Sequence, residues 1–178
     1  MFANRPQNIL LRIVTLALCS LACAETDPRA DLVKQKVEEI SKALISGAFG
    51  KVVDLTYPKI VEMIGGRDKM IKLLDSTVQQ MRDDGTVFTA VKVGTPSEFR
   101  SAGSDLFVIV PTSIELKVPG GKLTQKAFTV GISSDAGRTW SFVDGANLND
   151  DKIKIVVPNF PATLQLPSKQ PPVFERTP

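Results

Sequence analysis

The order of patterns along this chain predicts an α+β domain in which N-terminal helices pack on a strongly curved antiparallel sheet. Three observations carry that expectation. Apolar residues recur at helical spacing as far as Arg82, and from Thr86 onward they alternate. Tight-turn residues at Pro119-Gly120-Gly121 and Asp135-Ala136-Gly137 then join consecutive strands. Helices followed by a meander of strands belong to the α+β class, whereas a parallel sheet would need the two to alternate.

The N-terminus reads as an export signal. Arg5 and Arg12 precede an apolar run from Ile13 to Leu21, and Ala22-Cys23-Ala24 supplies an Ala-x-Ala cleavage site. That order is the one a signal peptidase reads, and the run is shorter than the roughly 20 residues of a membrane-spanning helix. The expectation is cleavage after Ala24 and delivery to a bacterial periplasm or the extracellular space. A rival reading is lipidation at Cys23, which Ala22 precedes, and only that reading gives the chain a membrane contact. Residues 1–24 are thus a signal peptide, 25–157 a single domain and 158–178 a tail rich in proline.

Asp27-Pro28 opens the first helix with a capping carboxylate and a proline at the first helical position. Val33, Val37, Ile40 and Leu44 make its apolar stripe as far as Ser46, and Gly47 stops it. A second helical piece follows from Ala48 to Thr56. Tyr57-Pro58 interrupts it, because proline disfavours helix at the residue before it. A further turn or two runs from Pro58 to Gly65-Gly66. A third long helix covers Arg67 to Arg82, with Met70, Leu73, Leu74, Val78 and Met81 as its stripe.

Strands are expected at Thr86–Val93, Leu106–Val118, Phe128–Ile132 and Thr139–Val143. Pro111, inside the longest of them, requires a bulge or an edge. A short apolar run, Ile153 to Val157, precedes the tail, which is expected to lie extended against the body and then become disordered.

Composition excludes several chemistries. The chain has no histidine, and its two cysteines, Cys19 and Cys23, both fall in the export segment. Ser-His-Asp and Cys-His machinery and histidine zinc sites are therefore unavailable, and no cofactor is expected. Removing Arg5 and Arg12 lowers the formal charge from +3 to +1. A nearly neutral domain carries no electrostatic footprint for nucleic acid.

The long first helix, the segment Val53-Asp54-Leu55-Thr56-Tyr57-Pro58, the Gly65-Gly66 pair and the closing Trp140-Ser141-Phe142-Val143-Asp144 together resemble the nuclear-transport-factor-2-like superfamily. That superfamily includes ketosteroid isomerase and SnoaL-like proteins. The resemblance covers roughly Asp31 to Asp144 and implies a cone-shaped fold whose curved sheet and helices enclose a pocket. It does not imply an activity, since the fold carries enzymes, binders and interaction modules alike.

Several residues are candidates for a site. Asp54 and Tyr57 lie one helical turn apart, so an isomerase-like reading gives proton abstraction to Asp54 and enolate stabilisation to the Tyr57 hydroxyl. The bland alternative makes them a helix-end polar group and a core ring. Tyr57, Phe88, Phe128, Trp140 and Phe142 are candidates to line the pocket. Glu62 and Asp144 are carboxylates whose direction the sequence leaves open. Ser133-Ser134-Asp135-Ala136-Gly137-Arg138-Thr139-Trp140 fits the Asp-box of sialidases and β-propellers. It occurs once, so it reads as a structural hairpin turn in which Asp135 caps amides and Trp140 packs beneath.

The residue inventory favours binding over catalysis. The leading expectation is an exported, non-catalytic module whose pocket takes a small apolar ligand or a partner segment. A histidine-free lyase or isomerase using Asp54 and Tyr57 is the second. A structural module that forms a homodimer through its open sheet face is the third.

Overall fold

A computed structural model describes residues 27–176. The export segment, with Arg5, Arg12, Cys19, Cys23 and the cleavage residues Ala22 and Ala24, lies outside the described residues. Within them the chain is α+β: five helices and a six-stranded antiparallel sheet.

Helix α1 (Pro28–Ser46) begins where Asp27 accepts a hydrogen bond from the Arg29 amide at 3.0 Å, and it ends at Gly47. Its stripe buries Val33 and Val37. Helices α2 (Phe49–Asp54) and α3 (Pro58–Ile64) are separated at Tyr57-Pro58, as the proline requires. In α4 (Arg67–Asp83) Met70 and Val78 are buried. Leu73, expected in the same stripe, is 51% exposed. At 100° per residue Leu73 stands well off the line through Met70, Leu74, Val78 and Met81, so it turns to solvent.

The sheet is built on one long hairpin. Strands β3 (Asp105–Val118) and β4 (Gly121–Ser133) pair in unbroken register from Leu106–Ser133 to Val118–Gly121 across the Pro119-Gly120 turn. Each outer edge of the hairpin carries two short strands, one at either end. On β3 these are β1 (Val87–Val93) near the turn and β2 (Arg100–Ala102) at the far end. On β4 they are β6 (Val173–Arg176) near the turn and β5 (Ser141–Asp144) at the far end. Pro111 sits where β1 and β2 leave β3 locally unpaired. Ile109 directs its N–H and C=O outward to Ser97, and two residues on the Pro111 carbonyl accepts from Gly94. The missing proline N–H therefore falls on the broken edge rather than in the β3–β4 ladder, which satisfies the edge expectation.

Strand alternation divides the core between the two sheet faces. Leu106, Val108 and Val110 join Trp140, Phe142 and the α1 residues Val33 and Val37 on the helix side. Phe107, Ile109, Phe128, Val130, Ile132 and Val143 form the other face. Helix α5 (Asp150–Val156), capped by Asn149, covers that second face with Ile153 and Val156. The proline-rich tail continues the cover: Leu164 is buried, and Phe160 packs edge-on against Phe107 with ring centroids 5.7 Å apart. The tail thus lies against the body as expected, and its last described residues, Val173–Arg176, form β6, paired with β4 from Gly121 to Thr124.

Candidate ligand pocket

The helix side of the sheet is filled at one end and hollow at the other. At the filled end the Asp-box folds the β4–β5 connection into a tight turn. Asp135 accepts from the amides of Thr139 (2.8 Å) and Arg138 (3.0 Å), while the Thr139 hydroxyl donates to its second oxygen (2.7 Å). Those bonds, led by the Thr139 amide, hold the Asp135 carboxyl down at about 2. The Ser133 hydroxyl donates to Asp135 and accepts from the Gly137 amide. Gly137 adopts φ +91°, and a Cβ there would come within 2.6 Å of the Arg29 side chain. Trp140 lies beneath the turn, donating from Nε1 to the Gly137 carbonyl at 3.0 Å. Its ring passes so close over β4 that a Cβ on Gly131 would approach it to 3.3 Å. Phe99 tilts against Trp140, and Arg29 stacks on Phe99 at 4.8 Å. The box is therefore a fastening between the sheet and the start of α1. Trp140, a candidate pocket residue, is spent on it and does not line the cavity.

At the hollow end a cavity of about 480 Å³ lies between the helices and the same sheet face. That volume falls within the range of small-molecule sites. Ile40 and Leu44 of α1, Val52 of α2, Met70 and Leu74 of α4 and Ile60 of α3 form its roof. Phe88 and Val91 of β1, Thr112 and Ile114 of β3, Thr129 of β4 and Phe142 of β5 form its floor. Several of these apolar side chains, among them Leu44, Leu74 and Phe88, are only half-buried, so the cavity leaves an apolar wall in reach of water. Phe88 and Phe142 are the sequence candidates that line this space.

Asp144 completes the wall. It pairs with Thr129 across the β4–β5 ladder and so shares its face. Its side chain is solvent-exposed, although protein atoms are dense around it. Burial pushes its carboxyl above the usual aspartate range, against the amides of Ala146 and Gly145, which draw it down. It is the one ionisable side chain in the lining. The Ser41 and Thr56 hydroxyls at the cavity already donate to the carbonyls of Val37 and Val52 in their own helices.

Asp54 and Tyr57 do not meet here. Helix α2 stops at Asp54; Leu55 makes a closing turn, and Thr56 and Tyr57 then run beside β5. The Tyr57 amide donates to the Phe142 carbonyl, and the Phe142 amide donates to the Leu55 carbonyl, both at 2.8 Å. A helical turn would align residues 54 and 57; a chain that leaves the helix between them does not. Asp54 is exposed and accepts from Arg67 Nε at 2.8 Å, and that guanidinium lowers its pKa. Tyr57 is half-buried against the core on the opposite sheet face. Phe128 also belongs to that face. It borders a second hollow of about 410 Å³ beside the tail, with Lys126 and Lys169 at its rim. Glu62 faces solvent beside Lys59.

No protein-family model, curated protein or solved structure matches this chain. Among the described residues no group of three or more acidic, histidine or cysteine side chains is placed to hold a metal ion.

Asp144 is the cavity residue the sequence left undecided, although a signal was present. Trp140, Phe142 and Asp144 have the same strand parity, so once Phe142 faces the helices Asp144 must as well. The roof residues from α4 carried no comparable signal, because nothing local distinguishes a stripe that touches a sheet from one that spans a void.

Proposed function

We propose that this chain is an exported, non-catalytic binding module whose cavity takes a small apolar ligand, and that its sheet and helices form a cone of the nuclear-transport-factor-2-like kind. The observation that carries the reading is the cavity: about 480 Å³ walled on both sides by aliphatic and aromatic side chains. The hollow opens to solvent and has the size and the apolar walls of a small-molecule site. The lining holds one acid and no second ionisable group to act as its partner, which suits retention of a ligand better than its turnover.

The test is binding of the neutral dye N-phenylnaphthylamine to the purified chain, with Leu74→Trp and Ile60→Trp as variants that fill the cavity from two different helices. Fluorescence enhancement is expected in the parent chain, with affinity reduced at least about tenfold in both variants while circular dichroism is unchanged. A parent chain that does not bind the dye, or filled variants that bind it equally well, would sink the proposal.

A second reading is favoured by Asp144. A carboxyl raised above the usual aspartate range is a stronger base than an ordinary one and is placed to take a proton from a molecule in the cavity. A histidine-free isomerase would then use Asp144 as its base in place of Asp54. The dimer reading finds less support, because the sheet surface left open near the hairpin turn carries Lys92, Glu115, Lys122 and Glu175, linked as ion pairs, with Val173 and Phe174 as its exposed apolar residues.

A further inference from the structure

An ionised carboxylate lining an apolar cavity is solvated while water fills the space, but it loses that solvation when an apolar molecule enters, unless something of opposite charge approaches it. Asp144 has no such partner among the described residues: none of their ion pairs includes it, and the cavity lining contains no lysine or arginine. The remaining polar side chains at the wall are Ser41, Thr56, Thr112, Thr129 and Asn147. They are neutral, and two of them are already committed to helix carbonyls. The site therefore presents an apolar enclosure of ring-sized volume with one negative charge and nothing to balance it.

We infer that the cavity selects small apolar molecules that carry an ammonium group, with Asp144 as the counter-ion. The inference rests on the pocket-binding reading and narrows it to a ligand class. A neutral hydrocarbon fills the volume but leaves Asp144 stripped of water and unpaired. An anion is repelled. An ammonium placed toward Thr129 and Asp144 supplies charge balance once the ligand has displaced water, and the apolar body occupies the space beneath Leu44, Leu74 and Phe88. Water exclusion by that body strengthens the pair, because the attraction between two charges grows as the local dielectric falls.

The experiment is displacement of N-phenylnaphthylamine by adamantylamine and by its neutral isostere adamantanol, in the parent chain and in Asp144→Asn. The amine is expected to displace the dye at a concentration at least about tenfold below that of the alcohol, the preference a charge-assisted hydrogen bond supplies. Asp144→Asn removes the preference by weakening amine displacement, and the alcohol, no longer covering a charge, displaces the dye at least as well as in the parent chain. Should that variant misfold, the parent chain alone decides the matter. Among the described residues Asp144 is the only titratable group in the cavity lining, so the amine's advantage must fade as pH falls through its pKa, while the ammonium stays charged. Equal displacement by the two compounds at neutral pH overturns the amine inference and leaves the apolar pocket standing. A preference for the alcohol that grows on acidification also overturns it, in favour of a protonated Asp144 donating to a neutral acceptor. Absence of dye binding to the parent chain overturns the pocket itself.

Discussion

The two ends of the helix-covered sheet face are built from the same strands and put two aspartates to opposite uses. Asp135 stands just before β5, wrapped by donors from Thr139 and Arg138, and its carboxyl is held at about 2. Asp144 ends β5, faces a cavity with no cationic side chain in its lining, and is pushed upward by burial. Around the first, Trp140, Phe99 and Arg29 fill the interface between sheet and helix. Around the second the same interface is open. The closed end needs nothing beyond the chain to complete it, whereas the open end carries the cavity on which the proposed binding function rests.

The largest effect expected from breaking this contrast is at the closed end. Trp140→Ala removes the ring that lies over Gly131, supports Phe99 and holds the Gly137 carbonyl. The expected loss is about 3–5 kcal/mol of stability, the usual cost of deleting a buried aromatic ring. Chemical denaturation measures it as a lowered midpoint. At a denaturant concentration low enough to leave the variant folded, dye binding at the open end should survive. Parallel loss of both would mean that the two ends are one cooperative unit rather than a support and a site.

The next effect is smaller and differs in sign between the aspartates. The folded pKa of Asp135 is depressed, so its bonds contribute stability above the unfolded value near 3.8, and that contribution disappears as pH falls toward about 2. Asp135→Ala should therefore lower the melting temperature at pH 7, with the deficit closing between pH 4 and pH 2. Asp144 is raised, so the folded state holds its proton more tightly than the unfolded chain does. Ionising it costs stability as pH climbs from 3.8 through the folded value, and below 3.8 that cost is absent. Asp144→Asn should consequently raise the melting temperature at pH 7 and change it little at acid pH. Melting curves from pH 2 to pH 8 would show the two variants diverging from the parent in opposite directions as pH rises. A destabilised Asp144→Asn at neutral pH would mean that the carboxylate serves the fold, and the functional reading of the cavity would lose its main polar feature.

Much of this architecture was legible in the sequence because it is written in local periodicity. The stripe Val33, Val37, Ile40, Leu44 and the alternation after Leu106 locate α1 and β3, and Gly47, Pro58 and Pro119-Gly120 place breaks where the chain breaks. The Asp-box was legible as a turn because all of its partners lie within a few residues. Strands β2 and β6 were not, being three and four residues long and defined only by what they pair with. The site was legible in part. Phe88 and Phe142 line it, but Trp140, Phe128 and Tyr57 go to core packing elsewhere. Aromatic character reports that a side chain will be covered, not whether protein or ligand covers it.

The smallest expected effect concerns Asp54, and its smallness is informative. Residues 54 and 57 share a face only if the helix continues through them, and the chain leaves the helix between them. What remains is an exposed ion pair with Arg67, a class of contact that contributes little because water already solvates both partners. Asp54→Ala should leave the melting temperature nearly unchanged and should not alter dye or amine binding, since the side chain is outside the cavity lining. The sequence reading that paired Asp54 with Tyr57 makes the contrary forecast, that this variant abolishes whatever the pocket does. Titrating the dye and adamantylamine into Asp54→Ala beside Asp144→Asn separates the two. A loss confined to Asp144→Asn assigns the chemistry of the pocket to the end of β5, whereas a loss in Asp54→Ala would require the helix α2 terminus to reach the ligand by a rearrangement of residues 54–57.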